Sequence, residues 1–417
     1  MSKSGKHRTP YIKPVQRIQL PQINTRMRTI LIIVLLVIAA VALLIGFTSL
    51  LGNDSGWQEV EFTGGEVNCS ADFVFNYYFG DSGASASVER RNVTELYSEA
   101  AVNAYRIFSA NMVDEQMVNL ACVNTSVNRN VQVDEALYRA FEQVQKYQNR
   151  SIYLAPVYVE YSRLFLCEDE GEARRYDPAQ NAELAEYIGE LTAYANDPDM
   201  IDLELLGDNT VCLKVSQEYL SFAEENGVDV FVDFGWMKNA FIIDYIADTL
   251  AENDFTNGYI ASYDGFTRNL DARGQSYSVN LFDRLGNLIY RPAVMEYTDP
   301  MSIVFLRNYP MSDADRWHYF SFSNGRIATT FVNPETGVDQ SSTDNIVAYS
   351  EEIGCAEVLL NVAQIFMAEE LNEAALESLP QQHVNAIWFE DSTLKCTQES
   401  VKLTATEDAK TAGYKIP

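Results

Sequence analysis

Residues 29–51, TILIIVLLVIAAVALLIGFTSLL, form an apolar run of 23 positions without a charge. At 1.5 Å per residue a helix of that length crosses the roughly 30 Å hydrocarbon core of a bilayer, so the run predicts one membrane span. Further on, hydrophobic positions recur with two different periods. Leu96, Ala100, Ala104, Ile107 and Phe108 fall at helical spacing within 95–112, as do Leu137, Phe141 and Val144 within 134–147. Leu184, Tyr187, Ile188, Leu191 and Tyr194 predict a third helix over 182–195, stopped by Asn196-Asp197-Pro198 because proline does not extend a helix. Residues 353–370 predict a fourth, strongly apolar one. β-Branched and aromatic runs predict strands at 230–234, 258–262, 277–282, 303–306 and 384–389. Asn324-Gly325, between 319–322 and 327–332, predicts a hairpin closed by a type I′ turn. Without a repeat, a low-complexity stretch or a long linker, this mixture predicts one large α+β domain.

Charge orients the chain. Its 59 acidic and 30 basic residues give −29 overall, yet the first 28 residues hold seven basic side chains and no acidic one, which leaves −36 on the remainder. Under the positive-inside rule the basic flank stays in the cytoplasm, and everything after the span lies outside the cell membrane. The predicted organisation is a cytoplasmic tail (1–28), an anchor (29–51), a domain over 57–396 and a C-terminal tail (397–417). Such an acidic domain does not bind nucleic acid through its phosphates. Six cysteines lie on the exported side, at 69, 122, 167, 212, 355 and 396. They are open to disulfide pairing or to a life as free thiols, and sequence does not choose. With no CxxC pair, and with His318 and His383 as the exported histidines, a zinc site of the usual Cys/His kind lacks material.

No nucleophile elbow, Walker loop or dinucleotide-binding glycine fingerprint occurs. Three stretches do stand out in order. They are Asp233-Phe234-Gly235-Trp236-Met237-Lys238 followed by Asp244, then Asn333-Pro334-Glu335-Thr336-Gly337, then Ala356-Glu357 with Asn361 one helical turn on. Together with the helical stretch VQVDEALYRAFEQVQKY and the run VCLKVS upstream, they resemble the FAD:protein FMN transferase (ApbE-like) family. The likeness runs from about Glu95 to Phe389. It implies an exported or membrane-attached enzyme that moves FMN from FAD to a threonine or serine of a flavoprotein acceptor, with Mg2+ on the pyrophosphate. It assigns Gly235, Lys238, Thr336 and Gly337 to cofactor binding, and Glu357 and Asn361 to the metal; Asp264, in the tight turn Asp264-Gly265, is a further candidate for cofactor binding that turn chemistry alone would also select. Thr330 and Asn333 take the places of the family's histidine and aspartate, Asn239 that of a glycine, and Glu357 and Asn361 those of an aspartate and a threonine.

These replacements have physical consequences. Thr330 removes an imidazole and Asn333 a negative charge, while Glu357 and Asn361 alter the length and size of the oxygen ligands a small hard cation requires. Each position also has a structural explanation: a solvated helix face for Glu357 and Asn361, an exposed helix start for Lys238, a turn for Pro334 to Gly337. The chain is therefore expected to be an ApbE-like transferase with its activity open. The alternative is a catalytically inactive flavin-binding or scaffolding subunit of an envelope complex. A hydrolase using paired carboxylates is a third class, for which so acidic a chain offers no selection of a pair.

Overall fold

A computed structural model describes residues 55–64, 72–81 and 85–417. The predicted span, the basic tail and Cys69 lie outside the described residues. Among those described, no helix is long and apolar enough to cross a membrane, and Cys122, Cys167, Cys212, Cys355 and Cys396 are free thiols.

Ser55–Pro417 forms one compact unit built on an eight-stranded sheet. Its strands follow one another in space in the order they follow in sequence: Gly56–Glu59, Phe73–Phe79, Gly258–Ser262, Phe266–Asn269, Met301–Arg307, Asn345–Ser350, Asn385–Glu390 and Thr393–Cys396. Every neighbouring pair is antiparallel. Central strands are buried along almost their whole length because both faces are covered. Alternate residues divide between two cores: Val304, Leu306, Ile346, Ala348, Ala386 and Trp388 enter the larger one. Met301, Ile303, Val347, Tyr349, Ile387 and Phe389 enter the other.

Helices cover the first face. Lys238–Glu252 lies on the strands Gly258–Ser262 and Phe266–Asn269, Cys355–Phe366 on Met301–Arg307 and Asn345–Ser350, and Ala86–Ile107 packs beside Lys238–Glu252. A three-stranded sheet covers the second face, with strands Tyr277–Leu285, Leu288–Tyr297 and Lys402–Ala405 and the helix Glu407–Ala412. Residues 397–417, set apart as a tail by the sequence pattern, thus supply a strand and a helix to this layer. A second three-stranded sheet joins Asn130–Gln132, Thr210–Val215 and Ile201–Gly207.

The predicted helices form at Glu135–Lys146, Ala182–Asn196 and Cys355–Phe366. Asp134 caps the first, accepting from Ala136 N at 2.8 Å. The helix predicted over 95–112 begins earlier, at Ala86, where the sequence pattern is broken by Glu89. That carboxylate is buried and receives Gly80 N at 2.8 Å.

Two local expectations are corrected. Residues 230–234 form no strand and belong to no ladder, and Phe234 already has helical backbone angles, for reasons that bear on the site below. The hairpin pairs Tyr319–Ser321 with Ile327–Thr329, yet its turn is not type I′. Gly325 N donates to Phe322 O at 3.0 Å and Phe322 N to Arg326 O at 2.9 Å, and Gly325 alone of the pair has a positive φ, +90°. The Asn324 side chain instead accepts from Arg326 N at 3.0 Å. A three-residue loop with one left-handed glycine results.

Candidate functional site

Three segments from distant parts of the chain wall one cleft. The first is residues 233–239, where a short 3-10 turn, Gly235–Met237, leads into the helix Lys238–Glu252. The apolar run before it stays off the sheets because the buried Asn124 side chain replaces the ladder. Its carbonyl oxygen accepts from Phe231 N at 3.1 Å and Val232 N at 2.9 Å, and its amide donates to Val232 O at 2.9 Å. Asp233 follows, with N donating to Ile152 O at 2.9 Å and a carboxylate that receives Gly235 N at 3.1 Å. Gly235 has a φ of +55°, and a Cβ there would lie 2.5 Å from the ring of Tyr158. Glycine is thus required both by the backbone and by the ring against it.

The second segment is the turn between Gly258–Ser262 and Phe266–Asn269, which carries Asp264. Asn239 reaches across from the first segment and donates to Asp264 Oδ2 at 2.9 Å. The opposite oxygens of this pair, Asn239 Oδ1 and Asp264 Oδ1, are buried and have no hydrogen-bond partner. The third segment is the base of the 319–329 hairpin, where Thr330 N donates to His318 O at 3.2 Å.

Asp233, Gly235, Trp236, Trp317, His318 and Thr330 share a depression of ≈ 360 Å³. Trp236, Asp264, His318 and Thr330 share the narrow neck beside it. Asn239, Asp264, Arg307, Trp317 and His318 line a further opening of ≈ 780 Å³. Burial pushes the Asp264 carboxyl above its ordinary value, while the Ser262 hydroxyl, then His318 and the amide of Asn239, pull it back. Burial likewise raises Asp233, opposed by the charge of Lys238.

Of the positions singled out in the sequence, Gly235, Asp264 and Thr330 meet here. Lys238 stands at the start of the adjoining helix and reaches the cleft through its effect on Asp233. The others are elsewhere. Asn333 is buried and fully used: Oδ1 accepts from Glu335 N at 2.8 Å and Thr336 N at 3.2 Å, and Nδ2 donates to Met367 O at 2.9 Å. An aspartate could not make the last bond, so the carboxamide has a structural reason to be there. Thr336 and Gly337 continue this turn against the helix Ala182–Asn196, whose Asn196 amide donates to Pro334 O at 2.7 Å.

Glu357 and Asn361 face the end of the helix Glu135–Lys146. Glu357 Oε1 receives Lys146 Nζ at 2.5 Å and Tyr147 OH at 2.7 Å, and Asn361 Nδ2 donates to the same hydroxyl at 3.1 Å. Burial raises the Glu357 carboxyl, but these hydrogen bonds outweigh it and hold the group below its ordinary value. Asn361 Oδ1 is buried without a partner, so one free oxygen stands beside a carboxylate already occupied by an ammonium. As disposed, the pair does not fit a magnesium ion, and among the described residues no group of three or more His, Cys, Asp or Glu side chains could hold a metal. The sequence reading passed over His318, Trp317, Arg307 and the part played by Asn239. The two-residue turn expected at Asn324-Gly325 would have set residue 318 opposite 331; the three-residue loop that forms sets it opposite 330, so the sequence held no signal for this pairing.

Neither a protein-family model nor a curated protein matches the sequence. Solved structures do. The ApbE protein of Thermotoga maritima superposes with a TM-score of 0.54 at 14% identity, covering 85% of this chain and 98% of its own. The flavin transferase ApbE of Vibrio cholerae gives 0.51 at 10% identity, covering 86% and 99%. The chain has the ApbE flavin-transferase fold. The ApbE-like resemblance of the three sequence stretches is therefore matched by the architecture they sit in.

Proposed function

We propose that this chain is a membrane-anchored, extracytoplasmic flavin transferase that binds FAD in the Gly235–Asp264–Thr330 cleft and moves FMN to a threonine or serine hydroxyl of an exported flavoprotein. The observation that carries the reading is the convergence of those three positions on one cleft, in a chain of this fold, around the two unpartnered oxygens of Asn239 and Asp264. Turned outward, these acceptors would suit the ring N–H groups of a flavin or the amino group of adenine, since an N–H donor satisfies them without added charge. Trp236 and Trp317 offer aromatic faces, while Arg307, which lines the further opening, is paired with Asp315 at 3.0 Å and would have to release it to meet a pyrophosphate. A metal on the pyrophosphate would neutralise its charge; holding one at Glu357 and Asn361 would require Glu357 to release Lys146. The anchor in this reading is residues 29–51, with the N-terminus in the cytoplasm.

One observation favours the second reading, a flavin-binding subunit that does not transfer: the carboxylate assigned to the metal is held by Lys146 and Tyr147. The two are separated by titrating the detergent-solubilised full chain with FAD, following flavin fluorescence, and then measuring AMP release with a single-threonine peptide as acceptor. Saturable binding with AMP release and a flavinylated peptide is expected. Binding without AMP release establishes the second reading, and absence of binding refutes both.

A further inference from the structure

We propose that His318 is the general base of this cleft, standing across the hairpin from Thr330 and taking the proton of the attacking hydroxyl. The inference rests on the transferase reading and adds to it the group that performs the proton transfer.

His318 is the imidazole that the fold delivers to the cleft. His383, the other described histidine, sits at the surface with Nδ1 2.9 Å from Glu352. The hairpin register pairs Tyr319 with Thr329, and the bond from Thr330 N to His318 O continues it by one step. Residues directly opposite in an antiparallel pair point to the same side, about 5 Å apart at Cβ. His318 and Thr330 accordingly line the same depression and the same neck. A group moved from 330 to 318 stays in one wall of the cleft. This chain has threonine at 330 and its imidazole directly opposite, at 318.

The surroundings suit a base. Asp264 lines both openings that His318 lines on that side and carries an unpartnered oxygen, so a carboxylate is at hand to orient the ring and to stabilise it once protonated. The other titratable or charged groups that line these openings are Asp72, Asp233, Arg307 and Asp315, with the hydroxyls of Tyr158, Tyr161, Tyr263 and Tyr319. Arg307 and Asp315 neutralise one another at 3.0 Å, and the Tyr319 hydroxyl is committed to Arg307 O at 2.9 Å. In the step, the acceptor oxygen forms a bond to the riboflavin-side phosphorus of FAD. The phosphoanhydride P–O bond breaks, and AMP leaves with the bridging oxygen and its electron pair. The hydroxyl proton passes to the imidazole and then to AMP or solvent, so no oxidant or reductant is required.

The test uses the full chain in detergent, FAD, and AMP release to the threonine peptide or to water. His318→Asn should keep FAD affinity within about two-fold while lowering AMP release by about 100-fold or more, the usual contribution of general base catalysis. It should also abolish the acid limb of the pH–rate profile. Combining His318→Asn with Thr330→His should recover at least about ten-fold of the lost rate, because the ring returns to the same wall from the opposite strand, a result that a structural role for His318 does not produce. Transfer by His318→Asn at the wild-type rate, or with its acid limb intact, overturns the assignment and leaves the transferase reading standing. Wild-type protein that binds FAD without releasing AMP overturns the transferase reading, and this assignment with it.

Discussion

Asn124 offers a direct test of how the cleft is built. Its side chain, 4% exposed, is the partner of an apolar segment that no sheet accepts, and it makes four bonds in doing so. It accepts from Phe231 N and Val232 N at 3.1 and 2.9 Å, and donates to Val232 O and Ala110 O at 2.9 and 3.3 Å. Asn124→Ala leaves two buried N–H groups and one buried carbonyl without their partner, and weakens a fourth contact that is already long. An orphaned buried donor costs about 1–3 kcal/mol and a lost neutral bond about 1 kcal/mol, so a loss near 4 kcal/mol is expected. Urea unfolding of wild type and variant, with equal m-values, measures it. Because the segment continues into Asp233 and Gly235, FAD affinity of the protein still folded should fall as well. A loss below about 1 kcal/mol, the worth of a single net bond, would refute the argument that this side chain stands in for a ladder.

Two further substitutions separate structure from ligand binding. Gly337 has a φ of +70°, and a Cβ would lie 2.1 Å from Thr192 Oγ1 and 2.9 Å from Ile188 Cγ2. Gly337→Ala should therefore destabilise by about 2–3 kcal/mol in urea unfolding, of which about 1 kcal/mol is backbone, while FAD affinity of the folded protein stays unchanged; a selective loss of affinity would return this turn to the binding site. Glu357→Gln tests the Lys146–Glu357 pair. A carboxyl depressed in the folded state adds stability above its unfolded pKa and loses it as pH falls through the lower folded value. Wild type should exceed the variant by about 1 kcal/mol at neutral pH, and the difference should shrink on acidification below about pH 4. A pH-independent difference would show that the pair contributes through packing alone.

Long periodic segments were legible because one physical cause dominates each. The helices at Glu135–Lys146, Ala182–Asn196 and Cys355–Phe366 bury a stripe, and the stripe is visible in the letters. The run at 230–234 was not, since Val-Phe-Val looks the same whether its N–H groups meet a neighbouring strand or an amide 107 residues away. The cleft was half legible. Gly235, Asp264 and Thr330 lie in recognisable surroundings, whereas His318 acquires its place from a register that exists only after the hairpin has formed.

The motif positions themselves divide by physical role. Asp244, which matches the family pattern, accepts the N–H groups of Cys355 and Ala356 at 2.8 Å each and so caps the helix that carries Glu357. A Cβ on Gly354 would lie 2.4 Å from that carboxylate, which is how closely the cap is fitted. Pro334 to Gly337, also matching, close a turn against a neighbouring helix, and Asn333 departs from the pattern in a way that adds a bond to Met367 O. Residues 330, 357 and 361 carry less of the fold: a backbone N–H that any residue supplies, a partly exposed ion pair, and one oxygen left without a partner. Substitution is cheap at these places and expensive at the others, by about 1–3 kcal/mol for a helix cap or a left-handed close approach. The three sequence stretches therefore report chiefly on architecture. The chemistry has to be argued from the side chains the architecture gathers, and those are Asn239, Asp264, His318 and Thr330.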